Sequence, residues 1–487
     1  MSGFRDSGSR VRRSTRWLCV FAMVVSVCPP VVQAGGLYHA ARGSLPLGRG
    51  GVGVVQVEPG HALWYNPAGL SGGGRQLLAD GTLSLLRSSF TRRSRDDVNQ
   101  PDGQHPKVEG SLAPLPIPTL AYSDDLGLRG WDFGAAVLAP NALMLDWPET
   151  VNGAPAPQRH ALISMRGTAL ASLALGASWT RGDLSVGAGL HLIGGRFRAL
   201  VTMSACDAGT LCQHVEDPEW EAPAVIDLER TVTATGILGL RYKLGPLWLG
   251  GSLMLPYSLS GAARIDVALP DAPLFLQDAQ QPARVEGDRA DVEIAMPMVA
   301  RLGLGYRFSE EGMVELDLVH EGWSVQRELS VQPRDVAIVD ALGLERYEVG
   351  PISMPRGMED VISVRLGAEH ALPVLGDVVL RGGLSWESSA IPDRTLTVLT
   401  LDSEKWMLAA GASVAVAEGL WLDLLYAHLF MRDREVRDSQ VYPQNPLSAP
   451  PAAGAGDPEA LVAAPEAIGN GVYTMESDLI GLGLRWE

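Results

Sequence analysis

The stretch Val299-Ala300-Arg301-Leu302-Gly303-Leu304-Gly305-Tyr306-Arg307-Phe308 carries the pattern on which the fold turns. Ala300, Leu302, Leu304, Tyr306 and Phe308 share one side of an extended chain, and Arg301, Gly303, Gly305 and Arg307 share the other. Working outward, the same period of two returns. Ile480, Leu482, Leu484 and Trp486 oppose Gly481, Gly483 and Arg485. Val378, Leu380, Leu384 and Trp386 oppose Arg381, Gly383, Ser385 and Glu387. Ile362, Val364 and Leu366 oppose Arg365, Gly367 and Glu369, and Val314, Leu316 and Leu318 oppose Glu315 and Asp317. An apolar face against a face of charges and small residues fits a barrel wall between lipid and a polar lumen. A soluble sandwich shows the same alternation, so the connections must separate the two.

Strands are expected near 76–90, 108–123, 130–139, 168–180, 184–199, 226–243, 247–262, 285–308, 313–330, 358–372, 378–390, 403–416, 420–432 and 472–486, fourteen in all. Their connections alternate in length. Arg181-Gly182-Asp183, Leu244-Gly245-Pro246, Ser309 to Gly312 and Ala417-Glu418-Gly419 are short, whereas 91–107, 140–158, 200–225, 263–284, 331–357, 391–402 and 433–471 are long. Short turns on one rim and long loops on the other mark an outer-membrane barrel. Trp131, Trp179, Tyr242, Tyr306, Phe308 and Trp486 fall on the outward side near the short turns. Trp386, Trp406 and Phe430 fall on it at the far ends, giving two aromatic girdles. The Ala-, Pro- and Gly-rich run Pro450 to Pro465 cannot build a core and belongs to an external loop.

Residues 1–34 read as a secretory signal peptide. Arg5, Arg10, Arg12, Arg13 and Arg16 precede an apolar run from Trp17 to Cys28, and Val32-Gln33-Ala34 supplies the cleavage site. Without that segment 453 residues remain, and the loss of five Arg and one Asp moves the formal net charge from −17 to −21. So acidic a chain is a poor match to nucleic acid. The remaining chain has no apolar run of transmembrane-helix length. Two cysteines remain, and Cys206 and Cys212 are expected to form a small-loop disulfide in the exported compartment. His214 is the only nearby metal-ligand candidate, so no metal and no cofactor are expected.

Residues 35–75 do not alternate. They hold Gly48-Arg49-Gly50-Gly51-Val52-Gly53 and then Trp64-Tyr65-Asn66-Pro67-Ala68-Gly69-Leu70. The glycine run lacks the Lys and following Ser or Thr of a phosphate loop. Placed before fourteen strands, this segment resembles the N-terminal hatch of the FadL family of outer-membrane transporters, which ends in an Asn-Pro-Ala motif. The resemblance continues in Pro118-Thr119-Leu120-Ala121-Tyr122, Ala139-Pro140, Met296-Pro297-Met298, Glu321-Gly322-Trp323-Ser324 and Ile391-Pro392-Asp393. It departs after Ala139-Pro140, where Asn141-Ala142 replaces the family's aromatic and Gly, and at the terminus, where Glu487 follows Trp486.

The resemblance implies a 14-stranded antiparallel barrel over 76–487, a lumen plugged by 35–75, and passive inward transport of hydrophobic small molecules, long-chain fatty acids above all. Aromatic hydrocarbons by the same route, an open porin and an outer-membrane hydrolase are the alternatives. His320 beside Glu321 is the best base for the last, and it has no nucleophile beside it in sequence, so no enzyme is expected. Arg301, Arg307, Arg365 and Arg381 are expected in the lumen, paired with Glu315, Asp317, Glu369 and Glu387 or meeting a ligand carboxylate. Asn66, Pro67 and Ala68 are expected in the hatch, held by bonds from the barrel wall. A lateral opening is expected in the third strand, with a break in pairing near Gly134 and Pro140. The partners expected are the hydrophobic substrate and outer-membrane lipid, with the protein a monomer.

Overall fold

A computed structural model describes residues 41–93, 105–111, 114–139, 145–205, 216–272, 275, 282–341, 344–373, 377–445 and 466–487. Fourteen antiparallel strands close into one barrel. They are β1 Gln76–Arg92, β2 Leu115–Asp124, β3 Trp131–Leu138, β4 Ala169–Arg181, β5 Leu184–Ser204 and β6 Glu221–Leu244. Next come β7 (Leu247–Met254 and Tyr257–Val267), β8 (Arg289–Met296 and Val299–Arg307), β9 (Gly312–Glu321 and Glu328–Arg334) and β10 (Ile352–Pro355 and Val361–Ala371). β11 Val378–Glu387, β12 Lys405–Ala417, β13 Leu420–Met431 and β14 Gly471–Trp486 complete the wall. Each strand pairs with the next, and β1 closes the ring on β14, from Leu77 opposite Trp486 to Arg92 opposite Gly471. All fourteen expected strands are present. The tight turns use Gly182, Gly245 and Gly419 with φ of 61°, 60° and 68°, a conformation that favours glycine over residues with a Cβ. No helix among the described residues is long and apolar enough to cross a membrane.

Around the membrane-level half of the wall the expected parity holds. Leu302, Leu304, Tyr306, Leu316, Leu318, Ile480, Leu482, Leu484 and Trp486 are exposed on the outside, while Arg301, Glu315, Asp317, Arg365 and Arg485 are buried within. On β6, β7 and β8 the parity then reverses toward the long loops. β6 carries a bulge against β5 between Gly195 and Phe197. Pro256 and Pro297 sit level with each other on β7 and β8, between the pairs Met254–Val299 and Tyr257–Met296. Neither proline can donate to the ladder, so both strands break there and resume with the opposite face inward. That is why 285–308, expected as one strand, comes in two pieces. Beyond the break, Leu228, Leu259, Ile265, Val292 and Ile294 point in, and the external half of the interior is apolar instead of polar.

The third strand corrects one expectation. β3 is paired to both neighbours through Gly134, which lies opposite Ser123 on one side and Gly176 on the other. Glycine is needed there for another reason, because a Cβ at Gly134 would lie 2.6 Å from Leu70 Cδ2 in the plug. Pairing ends at Leu138, opposite Thr119 and Ser172, although β2 and β4 continue toward the loops. Ala139 turns inward, is buried, and its carbonyl accepts from the Arg42 guanidinium. Pro140, Cys206, Cys212 and His214 lie outside the described residues.

Candidate functional site

Residues 41–73 occupy the lumen. Helix α1 (Ser44–Gly48) ends where Gly50 and Gly51 take φ of 72° and 85°, an extended run follows, and α2 (Pro59–Tyr65) starts on a proline. A short 3-10 turn, Pro67–Leu70, completes the segment, with Asn66 as its cap. Two-residue repeats of hydrogen bonding would need a neighbouring strand. Here side chains of the wall supply the acceptors instead. Asp317 Oδ2 accepts from Gly53 N at 2.9 Å, and Glu315 Oε1 accepts from Val54 N and Val55 N at 2.8 Å each. Asn66 Nδ2 donates to Val54 O at 2.7 Å and to Leu240 O of β6 at 3.0 Å, while its Oδ1 accepts from Ala68 N at 3.0 Å. Ser44 N, Leu63 O and Tyr65 O are held by Asp80, His191 and Ser252. Every one of these wall groups faces inward.

The fit is close enough to dictate wall glycines. A Cβ at Gly367 would fall 2.1 Å from Arg49 O, one at Gly383 2.2 Å from Arg49 C, and one at Gly239 2.0 Å from Asn66 Oδ1. Alternation places Gly367 and Gly383 on the lumen face only as small residues, and does not single out Gly239. Only the plug's path shows what each one clears.

The four arginines singled out by parity divide between this seal and its mouth. Arg365 Nη1 donates to Gly51 O at 3.2 Å and lies 3.7 Å from Glu387. Arg381 donates to Glu369 at 3.1 Å and to Ser413 at 2.5 Å. Arg301 is buried on the inner face of β8. Arg307 lies at the turn end, bonded to Glu310 O at 3.2 Å and 5.1 Å over the Trp248 ring. Glu369 and Glu387 thus meet arginines as expected, whereas Glu315 and Asp317 are committed to plug backbone. His320 points away from the lumen between buried Val319 and Glu321 and faces Asp360 at 3.4 Å.

Above the plug lies an apolar vestibule. Phe197, Val201 and Met203 of β5, Ile226 and Leu228 of β6, Val292 and Ile294 of β8, and Leu396, Leu401 and Ile468 from the loops are buried together in its apolar packing. One cleft in this region is almost wholly apolar, between Met203, Ile265, Val285, Ile338 and Ile352. Another, flanked by Met354, Leu399, Val441 and Ile468, contains Arg356, a cation that no motif or alternation in the sequence marks. Its Nη1 donates to Gln326 Oε1 at 3.0 Å, and among the described residues no carboxylate pairs with it. Burial pushes its guanidinium down to about 10, so it stays cationic at neutral pH. The external half of the interior thus joins apolar clefts with several buried cations, Arg92, Arg159, Arg356 and Lys405, above a filled polar lumen.

The residues from 253 to 456 match the family model described as outer membrane protein transport protein (OMPP1/FadL/TodX). No curated protein matches in sequence. Among solved structures, a Pseudomonas aeruginosa FadL homologue superposes with a TM-score of 0.69 at 13% identity, covering 93% of this chain and 99% of its own. The P. putida toluene transporter TodX gives 0.61 at 17%, covering 92% and 98%. The Ralstonia pickettii toluene transporter TbuX gives 0.56 at 15%, covering 92% and 99%. At such identities the superpositions speak for the fold, and the family model adds a sequence likeness over residues 253–456. A closed fourteen-strand barrel bearing that match makes this chain similar, in fold and over residues 253–456 in sequence, to the outer membrane transport proteins of the OMPP1/FadL/TodX family.

Proposed function

We propose that the protein carries hydrophobic small molecules passively inward across the outer membrane, with long-chain fatty acids as the principal class. The observation that favours an acid over a neutral hydrocarbon is Arg356, buried beside apolar side chains of its cleft with no carboxylate paired to it among the described residues. A carboxylate there would complete its charge, while the acyl chain lies along the apolar cleft at about 25 cal/mol per Å² of surface removed from water. In this reading residues 1–34 are removed on export and residues 35–75 act as the hatch. The exit is the wall beyond Leu138, where β2 and β4 run on without β3 between them, so the ligand leaves without being rehydrated.

Displacement of a fluorescent fatty acid from the purified protein, by oleate and separately by toluene, tests this. Oleate should displace it, and Arg356→Ala should weaken oleate by roughly 10- to 100-fold, the effect of losing one charged hydrogen bond, while toluene stays unchanged. Equal oleate affinity in the variant would rule out Arg356 as headgroup partner. The second reading, a monoaromatic hydrocarbon channel, is favoured by the toluene transporters among the structural neighbours. Toluene binding without oleate binding by the unaltered protein would establish it instead.

A further inference from the structure

The reversal of parity falls at different heights on β6 and β7. On β6 the faces exchange at the bulge, between Thr231, opposite Gly195, and Leu228, opposite Phe197. On β7 they exchange at Pro256, between exposed Leu255 and buried Leu259. Yet the register between the two strands does not slip. Asp227 lies ten positions before Ile237, and Arg264, its partner, lies ten positions after Met254, the partner of Ile237. Val232 is therefore level with Leu259, but Val232 is 80% exposed on the outside and Leu259 is buried within. Directly opposed residues of a ladder share a face. Where the faces disagree no ladder forms: β6 stays paired to β5 and β7 to β8, while no residue of 228–236 is a ladder partner of 255–263.

Looser contacts bridge the seam. Leu255 N donates to Gly236 O at 2.9 Å, Thr235 Oγ1 to Leu255 O at 2.7 Å and Thr231 Oγ1 to Ser260 O at 3.2 Å. Hydroxyls on rotatable side chains thus stand where a sheet would use fixed backbone, and Pro256 brings no N–H. Leu228 leans onto Gly261, where a Cβ would stand 3.1 Å from its Cδ1. The β1–β14 closure, in contrast, pairs without a break from Leu77 to Arg92. Both sides of the seam are apolar. Outside, Val232 and Leu255 extend the lipid-facing stripe of Leu238, Leu240 and Leu249. Inside, Leu228 and Leu259 belong to the packing of the vestibule, with Ile294 of β8 opposite Leu259. A wall in lipid ordinarily closes its backbone bonds through a continuous ladder. A line without a ladder, apolar on both sides, is where a nonpolar molecule can cross without meeting water.

We propose that the β6–β7 seam is a lateral entry port, through which hydrophobic molecules already dissolved in the outer leaflet pass directly into the vestibule. This rests on the transport reading above. It differs from the exit beyond Leu138 in place and direction, because it admits from the outer leaflet on strands that do not touch β3. In the structure the port stands closed, with Leu228, Thr231 and Thr235 across it.

The test uses the full-length protein, with Cys206 and Cys212 changed to serine, in vesicles of phosphatidylethanolamine and phosphatidylglycerol that hold a diazirine-bearing palmitate in the membrane. Illumination should leave adducts on Val292 and Ile294, inside the wall, read by mass spectrometry. Thr231→Cys/Ser260→Cys, tied by a short reducible bis-methanethiosulfonate linker, should lose most of those adducts, and reduction should restore them. Gly236→Cys/Leu255→Cys places a second tie lower in the seam, at a glycine and an exposed side chain, and should act alike even if the first pair folds poorly. A tie at Leu83→Cys/Ile480→Cys, directly opposed in the β1–β14 ladder, should change nothing. Undiminished labelling in the tied seam variants would overturn the port. Absence of labelling in the untied protein would overturn the port alone where oleate still displaces the fluorescent acid in solution, and the transport reading with it where oleate does not.

Discussion

At the scale of single residues, the seal rests on a few polar atoms with no substitute nearby. Asn66 is fully buried and its side chain serves two carbonyls and one amide. Asn66→Ala leaves those three groups without partners, at a cost of about 3 kcal/mol for burying unpaired polar groups. We expect a lower melting temperature and entry of small sugars into vesicles that the unaltered protein keeps closed. Gly383→Val works from the other side. Its side chain would occupy space now held by Arg49 and Gly50 backbone, so the hatch must shift. The same sugar-permeability measurement should show a leak there with the β10–β12 register preserved. A leak-free Gly383→Val variant would mean that the hatch rests elsewhere.

Elements were legible in the sequence to different depths. Ile480 to Trp486 and Val299 to Arg307 announced themselves by alternation, because one face meets lipid and the other does not. The break at Pro256 and Pro297 did not, since a single proline within an apolar run reads as a tolerated irregularity. Its meaning comes from the register that sets the two level. Gly134 misled for a related reason. A glycine inside a strand signals either a break or a close approach, and the approaching Leu70 is sixty-four residues away in sequence. Arg356 was invisible because its neighbours Thr395, Leu399 and Val441 reach it only through the folded loops. The seam between β6 and β7 makes a further prediction. Pairing there is interrupted between Met254–Ile237 and Arg264–Asp227, and hydroxyls stand in, Thr235 Oγ1 donating to Leu255 O at 2.7 Å and Thr231 Oγ1 to Ser260 O at 3.2 Å. Amides along 228–236 and 257–263 that face this seam should exchange with deuterium faster than those of the β1–β14 closure. Equal protection would show the ladder to be complete.

For the whole molecule, one division organises surface and interior: apolar outside, a filled polar lumen, and an apolar external half. It requires the hatch to touch nearly the whole circumference. Ser44 reaches β1, Leu63 β5, Asn66 β6, Tyr65 β7, Val54 β9, Gly51 β10 and Gly48 β12. A segment bonded on so many sides, with its backbone pressed against wall glycines, has no route in once Leu77 has met Trp486. It must be present before the ring shuts. The closing contact joins residues about four hundred apart, among the slowest kinds of pairing to form, which leaves time for the sheet to gather round it. A synthetic peptide of residues 41–75 should therefore restore tightness to a hatch-deleted chain when supplied during refolding, and not when added to the finished barrel. The plug is in this sense a mandrel: the strands are wound on it, and the order of assembly is written into the same contacts that later hold water back.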